Sequence, residues 1–182
     1  MLQPSSSQTA GPFFSFALHH EHWNDLTAAK PAGESIRVSG RVLDGDGVPV
    51  ADAFVEIRQA NAGGSYDCDE RFIGFGRCAT DAGGRYTFAT IRSGRIDSAL
   101  GLQAPHVAVQ VFSRGLLRQL HTRMYFGDRV AENASDPLLA TIDDPARRAT
   151  LIAERLPGAN GGPEFCFDIV LQGKGETAFF EP

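Results

Sequence analysis

"LQAPHVAVQVF", residues 102–112, reads as a strand in which residues two apart share a face. Val107, Val109 and Val111 then lie on one side, and His106, Ala108, Gln110 and Phe112 on the other. The valine side suits a core. Outward from this stretch the same short alternating or β-branched run recurs in "SIRVSGRVL" (35–43), "AFVEIRQA" (53–60), "RYTFATI" (85–91), "HTRMYF" (121–126) and "EFCFDIVLQG" (164–173). "DGDG" (44–47) and "DAGG" (81–84) supply the Asp and Gly that tight hairpin turns demand. The pattern predicts an all-β protein, an antiparallel β-sandwich with irregular N- and C-terminal extensions and one short helix. That helix is expected in "DDPARRATLIAERL" (143–156), with an acidic start, Pro145 in the first turn and Leu151, Ile152 and Leu156 at helical spacing.

A chain of 182 residues with 42% hydrophobic content supports one well-buried core. The expected division is an N-terminal extension, 1–34, and a sandwich domain, 35–182. Both ends are irregular and aromatic, "FFSF" near the start and "AFFEP" at the end, and read as segments that pack on something else. A net charge of −5 gives no basic stripe for nucleic acid or an anionic membrane. Without a cationic-then-apolar leader or an apolar run of about 18 residues, a cytoplasmic location is expected. Cys68, Cys78 and Cys166 are too widely spaced for a zinc site and odd in number for a disulfide framework, so packing thiols are expected.

The polar side of the opening strand raises a chemical question. A second histidine two residues after His106 would present two imidazoles side by side to a metal, yet that position is Ala108. The segments "SQTAGPFF" (7–14), "GRVLDGDGVPVADAFVEIRQANAGGSY" (40–66), "FGRCATDAGGRYTFATI" (75–91), "APHVAVQVFSRGLLRQLHTRMYFGD" (104–128) and "GPEFCFDIVLQGKGETAFFE" (162–181), in this order, resemble the intradiol ring-cleavage dioxygenases.

That resemblance implies a ferric centre of two tyrosinates and two histidines. Anionic phenolates stabilise Fe(III), and the Lewis-acidic ion takes a catechol as a chelating dianion that reacts with O2. Carried over motif by motif, Tyr66 ends the "QANAGGSY" motif and matches the first tyrosine. Ile96, in "TIRSGRI", replaces the second; His106 matches the first histidine and Ala108 replaces the other. An arginine that precedes the histidine pair is Gln103 here, and Arg123 stands where the family commonly has glutamine, in what the resemblance makes a vestigial pocket.

The resemblance therefore implies an alpha-type chain that binds no metal, contributes no catalytic residue alone and is inactive by itself. Fe(III) is expected in a homologous beta chain, within a higher-order hetero-oligomer. Thr9, Ala10, Gly11 and Pro12 are expected to wall the pocket shared with that chain, with Arg114 reaching the carboxylate of a small aromatic substrate. Plainer readings stand beside these. Tyr66 and His106 also suit ordinary hydrogen bonding, Arg123 an ion pair, and Gly11–Pro12 a turn. "HHEHW" (19–23) reads as a solvated or interface segment, while this group or His121 also reads as substitute ligands of a self-contained enzyme. The whole chain also reads as a non-enzymatic binding or carrier sandwich.

Overall fold

The structure is a computed structural model that describes residues 6–11, 13–18, 20–67, 69–158 and 162–181. In chain order the elements are helix α1 (Phe14–Leu18), β1 (Ser35–Leu43), β2 (Phe54–Gln59), β3 (Phe75–Ala79), β4 (Arg85–Ile91), β5 (Ile96–Ser98), β6 (Gly101–Gln103), β7 (His106–Phe112), β8 (Leu120–Phe126), α2 (Val130–Ala134), α3 (Pro145–Ala149), β9 (Ile152–Pro157), β10 (Pro163–Cys166) and β11 (Ile169–Val170). A 3₁₀ turn covers Leu139–Thr141.

Two layers face each other. One runs β4-β1-β10-β9, the other β3-β2-β7-β8, and a short parallel pairing of Tyr125–Phe126 with Ile152–Ala153 joins them into one nine-stranded sheet. Most pairings are antiparallel; β1 also pairs in parallel with β10 and β11. The inward faces supply Ile36, Val38, Val55, Ile57, Phe88 and Phe126, all buried, with the three valines of β7 among them. The sandwich is thus the one expected from the alternating runs.

Gly40 marks where β1 changes partner from β10 to β11. A Cβ there would sit 1.9 Å from the carbonyl oxygen of Phe167. That carbonyl instead accepts a 2.6 Å hydrogen bond from the buried Tyr86 hydroxyl, while the Arg41 N–H donates to Asp168 Oδ1 across the interrupted ladder.

Three local expectations are corrected. The opening strand begins at His106 rather than Leu102, because Gly101–Gln103 pairs with Ile96–Ser98 in a separate hairpin. The helix expected over 143–156 is one turn, α3, capped by Asp144 accepting from the Ala146 N–H at 2.9 Å. From Ile152 the chain is strand β9, held by β8 and β10, so tertiary pairing overrides the helical spacing of its apolar residues. The short α1, α2 and the 3₁₀ turn add to the single helix anticipated.

The C-terminal aromatics also differ from expectation: they pack on their own domain. Phe179 contacts the main core, and Phe180 joins a second cluster around Tyr125, Leu139 and Leu151. The Phe180 N–H donates to the His121 carbonyl and Thr122 Oγ1 donates to the Ala178 carbonyl, each at 2.8 Å, so the tail runs along the edge of β8. N-terminally, Phe14 stands edge-on to Phe54, and Trp23, Phe75 and the Arg77 guanidinium pack against one another. Among the described residues no helix is long and apolar enough to cross a membrane. Cys78 and Cys166 are free and half-buried, with burial pushing both thiols up; Cys68 lies outside the described residues.

Candidate functional site

Cross-strand register decides which side chains meet. On the outward face of the second layer, Ala108 stands opposite Arg58 of β2 on one side and Arg123 of β8 on the other. Directly opposed residues share a face with Cβ atoms about 5 Å apart, so the two arginines flank the alanine in one row. The next row along the strand pairs His106 with Tyr125.

Tyr66 reaches this row from the 61–66 loop. Asn61 Oδ1 accepts from the Gly63 and Ser65 N–H groups, and Gly64 adopts φ +84°, a left-handed conformation in which a Cβ would meet the Arg95 carbonyl oxygen at 1.9 Å. The two loops 61–66 and 93–96 therefore lie against each other, and Tyr66 emerges beside Arg58, whose guanidinium is 5.9 Å from the ring centroid. Burial raises the Tyr66 phenol, opposed by the positive charges of Arg123 and Arg58.

His106 is almost fully buried and its Nδ1 lies 2.8 Å from the Ala104 carbonyl. A carbonyl oxygen only accepts, so Nδ1 carries the proton and Nε2 the lone pair, the tautomer of a metal-ligating histidine oriented by a backbone carbonyl. Burial, with Arg123 nearby, lowers its pKa to about 4. Arg123 Nη1 donates to Gln103 Oε1 at 3.0 Å, and Gln103 Nε2 donates to Ser98 Oγ at 3.0 Å. Ile96 is buried opposite Gln103 in the β5–β6 hairpin.

The structure therefore brings Tyr66, Ile96, Gln103, His106, Ala108 and Arg123 into one neighbourhood. Their chemistry does not fit Fe(III): Ile96 and Ala108 offer only carbon, and two guanidinium groups occupy the same face. A trivalent cation there would meet repulsion in place of the anionic phenolate and second imidazole it needs. Among the described residues no group of three or more His, Cys, Asp or Glu side chains is placed to hold a metal. His121 Nε2 is buried without a hydrogen-bond partner among the described residues; His19 of "HHEHW" lies outside them.

Two members of the neighbourhood escape sequence reasoning. Arg58 is invisible without the β2–β7 register. Asp136 is fully buried, accepting from the Ala104, Leu138 and Leu139 N–H groups and from the Tyr125 hydroxyl. It fixes the approach to His106, and its one signal was Asp-Pro after "NAS", a turn-forming pair.

A second group gathers at the other end of β7. The Gly115 N–H donates to Thr9 Oγ1 at 2.8 Å, so the N-terminal motif sits on the "SRG" turn more than a hundred residues away in sequence. Ala10 lines an open hollow of ≈ 250 Å³ with Gln8, Phe112, Ser113, Leu116 and Leu117. Gly11 is exposed with open space around it, and Pro12 lies outside the described residues. Arg114 is exposed and its guanidinium is paired with the Asp52 carboxylate. Four strand steps, about 13 Å at the usual rise, separate Ala108 from Phe112, so this group lies at the opposite end of β7 from the His106–Tyr125 row.

Residues 9–173 match the model of the family described as Dioxygenase. The whole chain is 40% identical to the protocatechuate 3,4-dioxygenase alpha chain of Pseudomonas putida, covering 98% of it. It is 36% identical to the protocatechuate 3,4-dioxygenase beta chain of Burkholderia cepacia, across 85% of this chain and 71% of that one. The dioxygenase domain of a carbohydrate-binding fusion protein from Streptomyces sp. SirexAA-E superposes with a TM-score of 0.62 at 26% identity, covering 97% of this chain and all of that domain. The alternating sandwich, the register that gathers the ligand motifs and these relatives agree: the chain belongs to the dioxygenase family, in its intradiol ring-cleavage branch.

Proposed function

We propose that the chain is the alpha subunit of a protocatechuate 3,4-dioxygenase, binding no iron itself and completing the pocket of a homologous beta chain that holds Fe(III). The pair would act in the cytoplasm, cleaving protocatechuate with O2 to 3-carboxy-cis,cis-muconate in aromatic catabolism, the beta-ketoadipate pathway. The observation that carries the reading is the set of side chains: at two of the four positions that the resemblance assigns to ligands stand Ile96 and Ala108, and Arg58 and Arg123 flank Ala108. Full-length similarity to an alpha chain, closer than to a beta chain, supports it.

The partner's iron supplies Lewis acidity toward the two catechol oxygens, and the substrate supplies the electrons, so no nicotinamide is required. The residues of this chain bind and orient. Thr9, Ala10 and Gly11 would form part of a wall for a flat ring, and the hydrogen bond from Gly115 to Thr9 holds this stretch beside Arg114; Pro12, expected in the same wall, lies outside the described residues. Arg114 offers a fork suited to a carboxylate. The place of this group at the far end of β7 from Ala108 supports a pocket that belongs to another chain.

The test is the intact native mass of the chain recovered from its own host cells, at a resolution that counts iron. A complex with a larger homologous chain at one iron per pair is expected. A lone chain carrying iron would overturn the reading, and a lone iron-free chain would replace it with a binding module.

A further inference from the structure

In the row Arg58–Ala108–Arg123 a methyl group stands between two guanidinium groups. Ala108 is half-buried rather than buried, and Arg58 and Tyr66 are exposed, so solvent reaches the floor of the gap. Among the described residues no carboxylate lies within ion-pair distance of Arg58 or Arg123, so neither guanidinium charge of this row is neutralised by a neighbour.

Nearby acids are already committed. Glu56, two residues from Arg58 on the same face, accepts from Arg77 Nε at 2.6 Å. Asp67 accepts from Ser65 Oγ at 2.7 Å, and the buried Asp136 is occupied by three backbone N–H groups. Arg123 donates to Gln103 and also interacts with the Tyr125 hydroxyl, and of its five N–H donors the remainder stay available. Both guanidinium charges bear on Tyr66.

We propose that this gap is an anion site, taking one small oxyanion, a carboxylate or phosphate, between Arg58 and Arg123 above Ala108. Guanidinium forks bind the two oxygens of either group with paired hydrogen bonds, and two of them flanking one residue on the same face favour an anion more than either alone. The apolar floor of Ala108 and the Tyr66 ring beside Arg58 leave room for a flat organic body on a carboxylate. The alanine that removes a ligand from the metal set is thus the residue that opens the site. The inference does not depend on the subunit reading, since every group belongs to this chain.

The test uses the full-length chain at low ionic strength, titrated by calorimetry and by protein NMR with benzoate in one arm and inorganic phosphate in the other. Saturable one-to-one binding of at least one probe is expected, with perturbations centred on Arg58, Ala108 and Arg123, and the tighter arm identifies the source of the anion. Arg58→Gln and Arg123→Gln should each weaken it about tenfold or more, the loss of a charge-assisted fork. Ala108→Glu provides a variant that fails for a different reason: both charges remain, but its own carboxylate occupies the gap, so binding should vanish while Tm rises. Absence of saturable binding in both arms, binding undiminished in both arginine variants, or binding retained by Ala108→Glu would overturn the proposal.

Discussion

At the scale of single residues, His106 carries an acid sensitivity that can be predicted with its sign. Its folded pKa of about 4 lies below the ordinary histidine value near 6.5, because burial and Arg123 disfavour the imidazolium. Above about pH 6.5 neither state is protonated at this site; between about 6.5 and 4 only the unfolded chain takes the proton. Stability should therefore fall by about 3 kcal/mol across that window and level off below it. Urea unfolding midpoints from pH 7 to 4 measure this, and His106→Gln should flatten the fall. The neighbouring arginines make a second prediction. Restoring the ligands alone, as Ile96→Tyr with Ala108→His, should fail to bind Fe(III), because two guanidinium charges face the ion. Adding Arg58→Gln and Arg123→Gln should allow phenolate-to-iron absorption to appear on titration with ferric ion. Colour in the two-substitution variant would refute the electrostatic argument. That Ile96 and Ala108 lie in the neighbourhood of His106 could be anticipated from the motifs, because motif positions are local. Arg58 could not, since its place depends on which strand pairs with β7 and in what register.

At the scale of elements, the junction between β1, β10 and β11 is held by the absence of a side chain. The Phe167 N–H donates to the Ser39 carbonyl, its own carbonyl crosses Gly40, and Tyr86 donates into it. Gly40→Ala places carbon 1.9 Å from that oxygen, and backbone on both sides must move. It should cost about 2–4 kcal/mol, in the range of strained core substitutions, and Tyr86→Phe, which leaves the carbonyl unpaired by side chain, about 1–2 kcal/mol. Thermal unfolding of the two variants and their combination checks this: the effects should be less than additive, because both act on the Phe167 carbonyl. The strands around this junction were readable from alternation, and the turns from Asp and Gly. Strand β9 was not, because Leu151, Ile152 and Leu156 satisfy helical spacing, and only pairing with β8 and β10 decides between the two. Alternation is a local signal; a strand held on both sides by partners distant in sequence has no obligation to show it.

At the scale of the whole molecule, the two termini must be treated differently in any account of assembly. The C-terminal tail belongs to the fold, since Thr177 and Ala178 are buried and Phe179 and Phe180 pack on two clusters. Removing residues 179–182 should lower the Tm of the isolated chain before it alters any complex. The N-terminal motif is tethered lightly, through the hydrogen bond from Gly115 to Thr9, and leaves Gly11 and Arg114 open to a neighbour. If a second chain's pocket ends there, Arg114→Gln should raise the substrate KM of the assembled enzyme with iron content unchanged. Asp52→Asn separates orientation from charge. Asp52 now holds the Arg114 guanidinium at an exposed pair. An exposed pair of this kind contributes about 0–1 kcal/mol, so its loss leaves folding nearly untouched. It also frees the fork from a competing carboxylate, and KM should then fall for a carboxylate-bearing catechol but not for catechol itself. Equal KM changes for both substrates would show that Asp52 acts on the wall as a whole, and unchanged KM in both variants would remove Arg114 from the shared pocket.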